Sequence, residues 1–323
     1  MLKSPAQFAT SKGPSAFVQP IAFAGCFGWL HAARHDLARR TGVVIVPGVG
    51  RDARCGHKPL RILAEQLADL GFPVLRYDHP GQGDSLPLAE GDEALEAWTR
   101  GVAQAAQALR AQAGVDEVVL VGLRLGATLA ALAQAQAAGL VLLAPIILGR
   151  RWLRELKVAA AVGGTGGLEG AATIEAEGLS LAPDTAARIS GLDLTAVHAT
   201  APQVLMITPS DAADLLGQHL KSLGADVVAS DFPAYDLLFE DAHSNQPPTE
   251  VFDRVAAWLD ARFPTRGAPA RPAEPRESEL SGTSFVERAV RFGPDLAGVI
   301  CEPTDGGRVR RAAILCNTGG DPR

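Results

Sequence analysis

A glycine-flanked arginine marks the point in this sequence where reactive chemistry is most expected. The apolar run 117–121 leads into Gly122-Leu123-Arg124-Leu125-Gly126, and an alanine- and leucine-rich segment follows. A strand that turns sharply into a helix, with small residues two places either side of the tip, displays the tip side chain as a nucleophile. Arginine stays protonated in proteins and has no lone pair with which to attack a carbonyl. The sequence therefore predicts an intact turn without its nucleophile.

Two residues farther along the chain could supply the acid and the base of such a site. Asp211 follows the apolar run 203–208, and His243 stands in the loop before the last predicted helix. The order of turn, acid and histidine is that of α/β hydrolases, in which the acid orients the histidine. Asp214 is the alternative acid. Two neighbours of the histidine are interpreted as solvated loop charges, namely Glu240 and Asp241.

The glycine-rich loop 46–50 has two interpretations. As an oxyanion loop it would direct the backbone N–H of Val49, beside the N–H of Leu125, at a developing negative charge. Its glycine spacing also fits a dinucleotide fingerprint. That second interpretation is disfavoured, because a helix predicted to start at Pro59 begins too late to meet a phosphate. In addition, Asp78 lies 28 residues beyond the loop, farther than the usual ~20.

Other groups could act in place of the missing nucleophile. A water activated by His243 is the simplest, and Ser85 and Cys55 are side chains on neighbouring loops. Ser85 is more simply a residue of the glycine-rich turn 78–85, and Cys55 is more simply a small buried hydrophobe. Four basic residues could add to an anion site: Arg150, Arg151, Arg154 and Lys157.

Short β-rich runs alternate with longer helical segments, which predicts a mostly parallel sheet covered by helices on both faces. Predicted strands cover 43–47, 73–77, 117–121, 139–144, 203–208 and 226–232, and predicted helices cover 59–70, 94–113, 125–137, 212–223 and 250–263. The alternation breaks between 145 and 200, which predicts a cap inserted over the carboxyl edge of the sheet. One α/β domain is expected from 17 to 263.

The remainder of the chain is predicted to be a linker and a partial repeat. Residues 264–282 are rich in proline, arginine and glutamate and predict the linker. In 283–323, Gly298 lies 19 positions before Asn317 of AAILCNTGGD, just as Gly28 lies 19 positions before Pro47 of VVIVPGVGRD. This pattern predicts an incomplete second domain of the same kind, and a coincidental β-hairpin is the alternative.

The composition excludes several classes of protein. The chain has 323 residues, of which 47% are hydrophobic, and this fraction suits a packed core. Its formal net charge of −6 argues against nucleic-acid binding. Its four cysteines are too far apart to form a zinc or redox pair, so neither a metal nor a cofactor is expected. No segment is typical of a signal peptide or a transmembrane helix, and a cytoplasmic protein is expected.

The motifs together resemble one known family. The order PGVGRD, YDHPGQGDS, GLRLGA and APIILGRRWLREL over residues 17–263 resembles the exosortase-associated hydrolases, a branch of the serine-aminopeptidase-like α/β hydrolases. The resemblance implies the α/β-hydrolase fold and hydrolysis of an ester or amide. It also implies His243 as the base, Asp211 as its orienting acid, and Leu125 and Val49 as oxyanion donors. Arg124 departs from the family pattern.

Two functions follow from these residues. The first is an acyl hydrolase with an unconventional nucleophile. The second is a catalytically inactive pseudo-hydrolase in which Arg124 holds a carboxylate or phosphate between its parallel N–H donors. Either would take a small acyl or anionic molecule, without nucleic-acid binding or membrane insertion. In both, Arg124 is expected within reach of Asp211 or His243.

Overall fold

A computed structural model describes residues 18–34, 37–133, 136–162, 173–176, 178–209, 213–240, 244–265, 278–292, 296–305 and 311–315. Eight of its strands form one sheet: β1 (Val18–Phe23), β2 (Cys26–His31), β3 (Thr41–Val46), β4 (Val74–Tyr77), β5 (Glu117–Leu123), β6 (Gly139–Leu143), β9 (Gln203–Thr208) and β10 (Asp226–Asp231). Their order is β1-β2-β4-β3-β5-β6-β9-β10. The two pairs that involve β2 are antiparallel and the other five are parallel.

Helices cover both faces of this sheet, as the sequence predicts. They are α1 (Arg51–Asp69), α2 (Ala94–Ala113), α3 (Leu125–Ala133), α6 (Ala213–Ser222), α7 (Tyr235–Leu238) and α8 (Thr249–Arg262). Every residue of β3 is buried, with Val43 and Ile45 in one apolar cluster and Val44 and Val46 in the other. A strand between two helical layers has no solvated face, so its sequence is apolar throughout. Within these ranges, no helix is long and apolar enough to cross a bilayer.

The first helix begins earlier than predicted. It starts at Arg51, directly after the glycine-rich loop, and Pro59 lies inside it. A proline within a helix cannot donate to the carbonyl four residues before it. Here that carbonyl belongs to Cys55, and Asn245 Nδ2 donates to it instead. The prediction that Pro59 starts the helix is therefore wrong, and so is the argument that it gave against a phosphate-binding loop.

Between β6 and β9 the chain forms a separate set of short elements. They are α4 (Gly149–Val162), β7 (Ile174–Ala176), β8 (Leu179–Leu181), α5 (Pro183–Ser190) and one 3-10 turn (Leu194–Ala196). The Thr128 hydroxyl of α3 donates to the carbonyl of Ile146 over 2.9 Å and accepts from its N–H over 3.0 Å. Arg188 of α5 forms an ion pair with Glu96 of α2 at 2.5 Å. These contacts hold the insertion to the helices beneath it.

A small antiparallel sheet follows the main domain, in the order β11-β12-β13. Its strands are β11 (Ser278–Ser281), β12 (Phe285–Phe292) and β13 (Leu296–Pro303). β11 lies inside the predicted linker, 264–282, so that part of the linker prediction is wrong. Ser278 and Leu280 alternate with exposed neighbours, and the Ser278 hydroxyl donates to the carbonyl of Pro20 in β1 over 3.0 Å. This period-2 burial is typical of a strand, but the surrounding proline-rich composition obscures it.

In the β1–β2 and β12–β13 hairpins, a glycine of the second strand faces the residue two places before the last phenylalanine of the first strand, although the connections differ by one residue in length. Gly28 faces Ile21 in the first, and Gly298 faces Val290 in the second. The predicted third strand of the repeat differs, because 311–315 forms no strand and its side chains are exposed, whereas β3 is fully buried. Residues 316–323 lie outside the described ranges. A second domain of the same kind stays a prediction.

Candidate functional site

Arg124 stands at the tip of a sharp turn between β5 and α3. β5 ends at Leu123, α3 begins at Leu125, and the φ angle of Arg124 is 55°. A left-handed conformation costs a residue with a side chain about 1–2 kcal/mol. The N–H of Arg124 donates over 2.9 Å to the carbonyl of Leu143 in β6, which helps to hold this conformation. The turn thus has the shape of a nucleophile elbow, with arginine at the nucleophile position.

The space around the turn requires both of its glycines. A Cβ atom on Gly122 would lie 2.4 Å from the Cα of Ala127, and one on Gly126 would lie 2.2 Å from the carbonyl oxygen of Pro47. Both distances are far shorter than any real contact of a Cβ atom with backbone. Gly126 therefore allows α3 to start directly against the loop that follows β3. The sequence pattern of the elbow is explained by these two close approaches.

Two carboxylates hold the guanidinium of Arg124. Its Nε lies 3.3 Å from Asp52 Oδ2, on the first turn of α1, and an Nη atom lies 3.0 Å from Glu155 Oε2, on α4. The side chains of Arg124 and Asp52 are 17% and 15% exposed, whereas that of Glu155 is 63% exposed. An ion pair with so exposed a partner contributes only about 0.2–1 kcal/mol. Asp52 is therefore the firmer anchor of the two.

The charges around Arg124 keep it protonated. Burial lowers its pKa, but Asp52, Tyr235 and Glu155 together raise it by more, so the net shift is upward. Tyr235 of α7 lies in the same environment, and burial raises the pKa of its hydroxyl to about 12. Neither group can serve as a general base near neutral pH. At this position the elbow presents a fixed positive charge.

The Arg124 side chain lines a cavity of about 680 Å³ at the carboxyl ends of β5, β6 and β9. This volume is in the range of small-molecule sites. The lining combines apolar side chains with three arginines and two carboxylates: Ile146, Ile147, Leu148, Trp152, Leu215, Arg124, Arg150, Arg151, Glu155 and Asp193. Of the four basic residues predicted for an anion site, Arg150 and Arg151 line the cavity, whereas Arg154 and Lys157 are not part of its wall.

The loop after β3 lies beside the elbow, where an oxyanion loop would have to lie. Leu125 is the first residue of α3, so its N–H has no partner within the helix. The N–H of Val49 makes no hydrogen bond among the residues that the structure describes. His79 holds this loop by a hydrogen bond, in which its Nε2 donates over 3.0 Å to the carbonyl of Pro47. Burial lowers the pKa of His79 to about 4, so it is neutral at physiological pH.

The predicted acid and base lie in two segments outside the described ranges. Asp211 and His243 lie outside the described residues, as does Asp241, so their approach to Arg124 stays a prediction. Asp214, the alternative acid, is exposed on the first turn of α6. The backbone carbonyl of Glu240 accepts a hydrogen bond from the Arg51 side chain over 3.1 Å.

The candidate replacement nucleophiles have structural roles. The Ser85 hydroxyl donates to the carbonyl of Asp78 over 2.7 Å and accepts from the N–H of Phe27 over 2.9 Å. The carboxylate of Asp78 accepts from the N–H of Asp84 over 2.9 Å, so it serves the same turn. Cys55 is buried in α1, and burial raises the pKa of its thiol, which disfavours the reactive thiolate. These positions therefore maintain the turn and the helix.

The residues of the site that were not predicted from the sequence include Asp52, Glu155 and His79. Asp52 was missed because the predicted start of α1 at Pro59 placed it in a loop, although an acid directly after a glycine-rich loop is typical of a first helical turn. Glu155 lies in the stretch GRRWLREL, where the basic residues dominate the pattern. His79 had no signal, since nothing in its neighbours shows that it lies beneath the loop after β3.

Comparisons with known proteins agree with this architecture. Residues 38–165 match the family model of serine aminopeptidase, S33. The structure of Est1E from Butyrivibrio proteoclasticus with ferulic acid bound has a TM-score of 0.54 at 15% identity, and the match covers 76% of this chain and 98% of that one. The α/β hydrolase GrgF from Penicillium sp. sh18 has a TM-score of 0.53 at 18% identity, covering 77% and 99%. The esterase PF2001 from Pyrococcus furiosus has a TM-score of 0.54 at 14% identity, covering 77% and 92%.

A search of curated proteins gave no match. At identities this low, likeness to solved structures establishes architecture and leaves chemistry to the residues of the site. The parallel sheet, the elbow turn and the similar structures agree: the chain has the α/β-hydrolase fold, and its residues 38–165 are similar to the serine aminopeptidase family.

Proposed function

We propose that this protein is a pseudo-hydrolase, which binds a small acyl or anionic ligand in the pocket beside the elbow and performs no serine-type hydrolysis. Arg124 carries the proposal. It occupies the nucleophile position, it cannot attack a carbonyl, and two carboxylates fix its guanidinium in the wall of the cavity. A cavity with an apolar wall and a fixed cation suits an amphipathic anion.

Acyl hydrolysis without a serine is the second candidate. The N–H groups of Val49 and Leu125 favour it, because a tetrahedral intermediate needs two such donors. The first makes no hydrogen bond within the described part of the chain, and the second has no partner within its own helix. In that function His243, oriented by Asp211, would take a proton from water as the water oxygen bonds to the acyl carbon. The alcohol or amine would then leave with a proton. The resemblance to exosortase-associated hydrolases and a cytoplasmic location belong to the same proposal, on the sequence motifs given above.

An esterase assay separates the two candidates. Purified protein is incubated with 4-nitrophenyl acetate and butyrate, beside an Arg124→Ala variant of verified circular dichroism spectrum. We expect neither protein to release nitrophenolate faster than buffer does. Saturable turnover by the wild-type protein would reject the pseudo-hydrolase and favour hydrolysis by an activated water.

A further inference from the structure

We infer that the pocket takes an amphipathic monocarboxylate whose carboxylate replaces that of Glu155 on Arg124. The inference rests on the proposed function of the pocket as a binding site, and it names both the class of ligand and the residue with which the ligand competes. It follows from the unequal placement of the two carboxylates that hold Arg124.

Asp52 is the permanent partner of the guanidinium. It belongs to the first turn of α1, its side chain is largely sheltered, and it is not part of the cavity wall. Its contact with Nε fixes the base of the guanidinium. Asp52 therefore keeps Arg124 in place and charged, while the rest of the guanidinium faces the cavity.

Glu155 is the partner that can be exchanged. It belongs to the inserted helix α4, it lines the cavity, and most of its side chain is exposed to solvent. An exposed carboxylate loses little when it returns to water, and its flexible side chain gains freedom. A ligand carboxylate offers the same two oxygens, and a guanidinium can bind both at once.

The other residues that line the cavity indicate what the ligand carries besides its carboxylate. Apolar side chains from the insertion and from α6, including Ile147, Trp152 and Leu215, line the same cavity as Arg124. The second carboxylate of the wall, Asp193, is occupied because it accepts from the N–H of Thr195 over 2.8 Å and from its hydroxyl over 2.6 Å. A negatively charged group followed by an apolar chain therefore matches this wall better than a neutral molecule does.

The matched control is another ion pair between the insertion and the main domain. Glu96 is 59% exposed and pairs with Arg188 of α5, but neither residue lines the cavity. Glu96→Gln loosens the insertion as Glu155→Gln does, and it leaves Arg124 untouched. A difference between the two variants therefore reports competition for the guanidinium.

Isothermal titration with octanoate and octan-1-ol tests the inference on the full chain. We expect octanoate to bind the wild-type protein more tightly than octan-1-ol does. Glu155→Gln should tighten octanoate binding about two- to five-fold and leave octan-1-ol binding unchanged, while Glu96→Gln changes neither. Arg124→Gln should abolish the preference for the carboxylate.

Three outcomes would overturn the inference. They are octanoate binding that is undetectable in both the wild-type protein and Glu155→Gln, equal octanoate affinity in those two proteins, and a gain of similar size in Glu96→Gln. None of them bears on serine-type hydrolysis, which the esterase assay decides. A failure of the inference is thus distinguishable from a failure of the proposed function.

Discussion

Asn245 donates a hydrogen bond of 2.5 Å from Nδ2 to the backbone carbonyl of Cys55, and both residues are buried. The bond replaces the one that Pro59 cannot make within α1. It also ties the loop before α8 to the helix that carries Asp52. The loop in which His243 was predicted as the base is thereby connected to the anchor of Arg124.

This bond predicts a measurable coupling. Asn245→Ala should lower the free energy of unfolding by about 1–3 kcal/mol, because it leaves a buried carbonyl without a partner. Urea denaturation followed by circular dichroism measures the change. In a Pro59→Ala background, the restored backbone N–H can donate to the Cys55 carbonyl, so Asn245→Ala should cost less. An equal cost in both backgrounds would contradict this role of Asn245.

The elbow predicts that one glycine tolerates no side chain. Gly126→Ala places a Cβ atom 2.2 Å from the carbonyl oxygen of Pro47, and overpacking of this kind costs about 1–3 kcal/mol or more. Gly191→Ala is the control, since its φ angle is −78° and the nearest atom to its Cβ lies at 3.4 Å. Thermal unfolding of the two variants should show a lower midpoint for Gly126→Ala only. Equal midpoints would mean that α3 does not start against this loop.

Because of His79, we expect the folding stability of the protein to fall in acid. Burial lowers the pKa of this histidine from 6.5 to about 4, so the unfolded chain binds a proton between these values and the folded protein does not. The stability that neutral His79 contributes is fully present above pH 6.5 and is lost as the pH falls toward 4, a loss of roughly 3 kcal/mol.

The measurement is the slope of the unfolding free energy against pH in this window. His79→Gln should flatten the slope, whereas replacement of the exposed His198 by Gln should leave it unchanged. Parallel slopes for the wild-type protein and His79→Gln would show that His79 is not held neutral.

Sequence patterns predicted the parts of this molecule that local chemistry determines. The buried strands and the elbow at Gly122 and Gly126 follow from periodicity and from the need for small residues at a strained turn. The start of α1 was mistaken because proline usually begins a helix, and the bond that allows Pro59 inside comes from Asn245, far along the chain. The partners of Arg124 escaped prediction for the same reason, since Glu155 reaches it only through the folded insertion.

The most direct test of the central claim is fluorophosphonate labelling of the wild-type protein. Such a probe phosphonylates a serine only where a base activates it, and the elbow residue here is Arg124. We predict that no serine of the wild-type chain is labelled. The Arg124→Ser variant returns a hydroxyl to the intact turn, and we expect it to gain weak labelling. Rapid labelling of a serine in the wild-type protein, located by peptide mass spectrometry, would contradict the central claim.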